Sequence, residues 1–204
     1  MSYSRAGADA PSNILVRTAL LAVSFLAAQA PMVHAAPDAA VVRYQEVIGE
    51  IAEADRGPSL EVHADGRLRV HFPAYMRRAG DWETTLDAPS LHALVQSLLG
   101  HGVLDFDAAA LRARKRQSLA ARAALARRRP GEPLLFEASD ASTTIITLRV
   151  GGTERTVSWS GLRSDSRQHP ELPELGALRA AQRELEALMA HPRLMRRTAP
   201  GAQP

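Results

Sequence analysis

Residues 59–72 (SLEVHADGRLRVHF) alternate apolar and polar side chains on both sides of Asp65-Gly66. Alternation with a period of two reads as strand with one covered face. A loop of Asp65-Gly66 alone would set Leu60 against His71 and Val62 against Arg69, splitting the apolar face. A loop of Ala64-Asp65-Gly66 sets Val62 against Leu68, Leu60 against Val70, and Glu61 against Arg69 on the other face. Register follows from that agreement. It needs Gly66 in left-handed backbone after a type I turn.

Residues 142–159 (STTIITLRVGGTERTVSW) read as a second hairpin turning at Gly151-Gly152. Ile146 then pairs with Val157, Thr144 with Trp159, and Arg149 opposes Glu154 outside. Asp81 to Leu86 is a shorter strand, with Trp82, Thr84 and Leu86 on one face. Asp87 caps a helix whose first turn accepts Pro89. Leu91, Leu94, Val95, Leu98 and Leu99 give it one core face, and Gly100 or Gly102 stops it. A second helix spans about 172–190. Leu175, Leu178, Leu185 and Leu188 are its stripe, Glu171 and Glu174 sit near its start, and His191-Pro192 ends it. Residues 41–51 fit two templates. Val41, Tyr44, Ile48 and Ile51 suit a helix; Val42, Tyr44 and Ile48 suit a strand, which the β-branched density and Gly49 favour. The expected fold is α+β: an antiparallel sheet of about five strands with two helices on one face, plus a basic helical insertion at 108–131.

Ahead of this domain, Thr18 to Ala30 (TALLAVSFLAAQA) is an uncharged, mostly apolar run behind Arg5 and Arg17. It is shorter than the ~20 residues that a membrane-spanning helix needs. Val33-His34-Ala35 supplies small residues at the positions signal peptidase reads, so residues 1–35 are expected to be a cleaved signal peptide. Residues 36–192 would form one domain, and 193–204 a flexible tail. No later segment reaches ~18 apolar residues, which predicts a soluble mature protein. The 204-residue chain contains no cysteine. That excludes disulfides, zinc-thiolate and iron–sulfur sites and thiol nucleophiles, and it suits a bacterial periplasm, where free thiols would be oxidised. Loss of Arg5, Arg17 and Asp9 with the leader leaves a small positive net charge, too small by itself to argue for a polyanionic partner.

The order of elements carries a resemblance. Val41-Val42-Arg43-Tyr44 opens a strand, followed by Ile48-Gly49, the segment from Leu60 to Val70, Leu86-Asp-Ala-Pro-Ser-Leu-His-Ala-Leu94, Val103-Leu-Asp-Phe-Asp107, the late hairpin, and Leu172 to Leu188. This pattern resembles the emfourin-like α+β domains, named for a small bacterial inhibitor of thermolysin-type proteases, over about residues 41–190. Ile48-Gly49 stands where such domains often have Gly-Gly, and a long insertion follows Asp107. The resemblance implies protease inhibition as one function, and it carries over no functional residue.

The chemistry-bearing residues argue against most enzyme classes. His63 and His71 share a face of the first hairpin but lie ~13 Å apart along it, too far for one metal ion, and read as exposed strand histidines. His101, Asp105 and Asp107 are plausible ligand types, with Asp107 as a helix cap and Asp105 as a turn acid the simpler reading. Glu46, Glu50, Glu53 and Asp55 read as solvated acids. Ser158 and Ser160 lack the glycine that a nucleophile elbow requires before the serine. No phosphate loop, dinucleotide fingerprint or HExxH occurs, so no cofactor and no metal is expected.

Two segments remain as binding candidates. Residues 108–129 (AAALRARKRQSLAARAALARRR) are alanine-rich, with strong helix propensity, and hold Arg112, Arg114, Lys115, Arg116, Arg122, Arg127, Arg128 and Arg129. No acid occurs between Asp107 and Glu132, and Leu111, Leu119 and Leu125 form only a thin apolar stripe. This is a solvated helix over the domain, or a contact for an acidic partner or anionic membrane. Export and the absence of aromatics argue against nucleic acid. The second candidate is the loop from Pro73 to Gly80, which collects Tyr75, Met76, Arg77 and Arg78, types enriched at interface centres. Its competing reading tucks Tyr75 and Met76 under the sheet edge. The leading expectation is an exported, non-enzymatic protein-binding domain acting on another periplasmic protein, with protease inhibition as its specific form. The alternatives are a peripheral envelope protein held by the basic helix and a hydrolase using the Asp105/Asp107 region.

Overall fold

The computed structural model describes residues 39–49, 57–128 and 141–197; the expected signal peptide and its cleavage site lie outside them. The strands are β1 (Ala40–Val47), β2 (Ser59–His63), β3 (Arg67–Phe72), β4 (Gly80–Thr85), β5 (Thr143–Val150), β6 (Thr153–Ser160) and β7 (Met195–Arg196). The helices are α1 (Ala88–Gly100), α2 (Ala108–Arg128), α3 (Leu162–Gln168) and α4 (Pro173–Met189). One antiparallel sheet runs in the order β6-β5-β1-β2-β3-β4-β7. The class is α+β. The expected five strands and two helices are too few, since the described residues hold seven strands and four helices, α2 included. The elements without a sequence counterpart are short: α3 (LRSDSRQ) has no apolar stripe to reveal it, and β7 is two residues long.

Both hairpins take the expected registers. Val62 pairs with Leu68, Leu60 with Val70 and Glu61 with Arg69; Ile146 pairs with Val157, Thr144 with Trp159 and Arg149 with Glu154. Gly66 has φ 85°, and a Cβ there would lie 2.3 Å from the Leu86 carbonyl oxygen. Gly66 therefore serves both the turn and its close packing on the chain leaving β4, where the Leu86 N–H donates to the Gly66 carbonyl at 2.9 Å.

β1 settles the described part of the ambiguous segment as strand. It lies between β2 and β5 and pairs with both, which a helix there could not do. Val42 and Tyr44 turn into the core while Arg43 faces outward. The same alternation in β2, β3, β5 and β6 puts Leu60, Val62, Leu68, Val70, Ile146, Leu148, Val157 and Trp159 in one core with the helices. α1 is capped by Asp87, whose side chain accepts from the Ser90 N–H at 2.8 Å, and it buries Leu94, Val95 and Leu98. α4 contributes Leu175, Leu178, Ala181 and Leu185, all at most 1% exposed. Within this core the Gln182 amide donates to the Tyr44 hydroxyl at 3.2 Å, and burial pushes that phenol's pKa up.

His63 corrects an expectation. It is buried, at 3% exposure, rather than a solvent-facing strand histidine. A regular hairpin alternates faces, but at the end of β2 both Val62 and His63 are buried, where the pairing with β1 shifts register between Ala40 and Val42. His71, on β3, keeps partial exposure, with Nδ1 2.8 Å from an Asp81 carboxylate oxygen. The segment after α4, read from the sequence as tail, begins in the sheet: Leu194 is buried and Met195–Arg196 pair with Glu83 and Trp82 of β4.

Candidate functional site

The loop between β3 and β4 is built from two successive turns. The Met76 N–H donates to the Pro73 carbonyl at 2.9 Å, and the Ala79 N–H to the Met76 carbonyl at 3.0 Å. Phe72 pairs with Gly80 at the base. The Arg78 guanidinium lies 4.5 Å from the Trp82 ring centre and 5.3 Å from that of Phe72, while the Trp82 indole N–H donates to the Arg78 carbonyl at 2.9 Å. Stacking and hydrogen bond together brace the loop against the strand that follows it, the stacking alone contributing about 0.5–1 kcal/mol at an exposed site. Tyr75 is 54% exposed, and Arg77 and Arg78 are exposed too. Met76 is half-buried and packs on the core, so it anchors the loop while Tyr75, Arg77 and Arg78 form its outer surface.

β7 adds a residue to this corner. Arg196 is the cross-strand neighbour of Trp82, and its guanidinium lies 3.5 Å from where a Cβ on Gly80 would be. Sequence reasoning placed Arg196 in the tail. Leu194-Met195, apolar residues just after the Pro192 break, are the signal that a further strand begins there.

The basic helix is oriented differently. Asp107 caps α2, accepting from the N–H groups of Ala109 and Ala110 at 3.0 and 2.9 Å. Residues 112, 114, 115, 118 and 122 then face the rest of the domain. Arg112 donates to the Ser158 carbonyl at 2.9 Å and lies 5.3 Å from the Trp159 ring centre. Arg114 pairs with Glu174. Lys115 pairs with Asp165 at 2.9 Å, with side chains only 16% and 7% exposed, and the Trp159 indole donates to the same carboxylate at 2.8 Å. Arg122 binds both oxygens of Glu171 and the Gln168 carbonyl. The Ser118 hydroxyl, and after it the residue's own backbone N–H, His169 and Arg122, hold the Glu171 carboxyl down at about 2. α2 is thus docked by a polar stripe at helical spacing, with Leu111 buried at its start. Arg116 and Arg127 face solvent; Arg129 and the side chain of Arg128 lie outside the described residues. The missed signal was charge matching: Asp165, Glu171 and Glu174 form an acidic run that complements residues 112–122.

A cleft of about 480 Å³ lies beside the α1–α2 connection, lined by His101, Asp105, Asp107, Arg114 and Glu174 among others. Its carboxylates have structural tasks: Asp107 caps α2 and Glu174 binds Arg114. Asp105 is exposed in the connecting turn, and His101 lies 3.8 Å from Glu184. Among the described residues, no three His, Asp or Glu side chains are placed to hold a metal ion. Glu46 accepts from the Ser142 hydroxyl at 2.6 Å, whereas Glu50, Glu53 and Asp55 lie outside the described residues. The Ser160 hydroxyl is engaged with Thr143 at 2.6 Å, and the Ser158 carbonyl with Arg112. No described helix is long and apolar enough to cross a membrane. No family model matches this chain, and no curated protein matches it.

Proposed function

We propose that this chain is an exported, non-enzymatic protein-binding domain, released to the periplasm by cleavage after Ala35, which engages another protein through the outer surface of the loop at 73–79. The observation that carries this reading is Tyr75, more than half exposed on a loop pinned by two turns, a strand pair at its base and the Arg78–Trp82 stack. A loop held in this way loses little conformational entropy on binding, and rigid presentation is what an inhibitor needs. The resemblance to emfourin-like domains makes inhibition of a thermolysin-type protease the specific form to test first. The reading in which α2 attaches to an anionic envelope surface is less well supported. Arg112, Arg114, Lys115 and Arg122 already bind partners within the domain.

The test is capture from periplasmic extract with the wild-type domain and with the Tyr75→Ala/Arg77→Ala/Arg78→Ala variant, alongside assay against thermolysin. The variant is expected to lose the captured protein by more than ~2 kcal/mol of binding, the hot-spot scale, while its unfolding midpoint stays close to wild type. Equal capture by both proteins would place the interface elsewhere.

A further inference from the structure

Trp82 has an arginine on each of two sides. Arg78 stacks on its ring from the loop, and Arg196 stands beside it on β7. Residue alternation in β4 sends the acids of that strand to the opposite face. Asp81 there pairs with His71, and Glu83 with Arg197. Among the described residues, neither Arg78 nor Arg196 has a carboxylate within ion-pair distance. Arg77 is exposed in the same loop. Arg78 and Arg196 therefore flank one indole with the strand's own carboxylates turned away. Guanidinium groups are planar forks that bind carboxylates through two parallel hydrogen bonds. Exposed Tyr75 in the same loop supplies the large, low-entropy contact common at protein interfaces.

We infer that the Arg78–Trp82–Arg196 corner is a carboxylate-binding subsite, and that the partner engaged by the loop presents Asp or Glu side chains there. This rests on the loop being the interaction surface, and it adds the partner's chemistry and a contribution from β7. Gly80 borders it: a Cβ there would touch the Arg196 guanidinium at 3.5 Å, an ordinary contact distance.

The test is fluorescence anisotropy with labelled oligoglutamate and oligoglutamine peptides, at low and physiological ionic strength, using the full domain. The oligoglutamate peptide is expected to bind, weaken with salt, and bind about tenfold less well after Arg78→Ala or Arg196→Ala, the scale of a charge-assisted bidentate contact. Arg196→Lys should recover part of the affinity, and Arg116→Ala on α2 should change nothing. If Arg196→Ala has no effect while Tyr75→Ala and Arg77→Ala weaken binding, the subsite is overturned and the loop reading stands. If only Arg116→Ala and Arg127→Ala weaken binding, the subsite is overturned and the loop reading is weakened with it. Oligoglutamine binding as tightly as oligoglutamate, or no oligoglutamate binding at low salt, overturns the subsite. So does stronger binding to phosphatidylglycerol vesicles that is lost with the same arginines, since the anion would then be lipid.

Discussion

Two arginine-rich regions of this molecule use the same side chain for different ends. Along α2, Arg112, Arg114, Lys115 and Arg122 turn inward onto Ser158, Glu174, Asp165 and Glu171. At the other corner, Arg78 stacks on Trp82 and Arg196 lies opposite it on β7, while the acids of β4 point away. The helix holds more basic residues in its sequence, yet four of them are engaged within the domain, leaving Arg116 and Arg127 among the described side chains to face solvent. What decides availability is the face on which the acids fall, which strand alternation and helix spacing set, rather than the number of cations in a stretch.

The largest expected effect that would sharpen this contrast lies in α2. Lys115→Met leaves Asp165 buried with only the Trp159 indole as partner, and breaking a buried pair in this way costs ~3 kcal/mol or more. Denaturant midpoints check it. Adding Asp165→Asn should recover much of the loss, because an amide can still accept from Trp159. A Lys115→Met protein with unchanged stability would mean that the helix is not held by its charges. Next in size is the corner: Arg78→Ala/Arg196→Ala should leave folding within ~1 kcal/mol, since exposed stacked arginines contribute little to stability. Smaller again is the exposed end of the seam, where Arg122→Ala should cost no more than ~1 kcal/mol, as surface pairs do.

The mildest effect is acid loosening of α2. The Glu171 carboxyl is held at about 2 against an ordinary 4.5, by the Ser118 hydroxyl first and then by its own backbone N–H, His169 and Arg122. A folded pKa below the unfolded one stabilises fully above the unfolded value and loses that contribution as pH falls through the folded value. Glu174 is lowered as well, by its own backbone N–H and by Arg114. Protection of the α2 amides, taken relative to their intrinsic exchange, should therefore fall between about pH 4.5 and 2, before protection in α4 does. An equal fall of protection in both helices would remove the distinction between ionic and apolar docking.

Much of this was legible locally. The hairpin registers followed because each had one pairing that satisfied both faces, as Leu60 with Val70 and Glu61 with Arg69 do. Asp87 announced α1 because a cap acts within a single turn. What escaped was set by distant partners. His63 is buried where β2 ends against the register shift in β1, an earlier strand laid alongside. α3 has Leu162 and Asp165 as its buried residues, too few for a period to show. Tyr75, Arg77 and Arg78 could be chosen from residue type alone, but Arg196 joins them only through β7 pairing with β4. The inward turn of α2 depends on acids about 50 residues further along the chain.

The most direct test measures stability and binding together on one pair of variants, Arg114→Ala/Lys115→Met in the helix and Arg78→Ala/Arg196→Ala at the corner. Each is carried through a denaturant titration and an oligoglutamate binding titration. The helix variant is expected to unfold at lower denaturant and, where still folded, to bind as wild type does. The corner variant is expected to unfold as wild type does and to bind about tenfold less well. A helix variant that keeps its stability but loses binding, with a corner variant that does the reverse, would contradict the account.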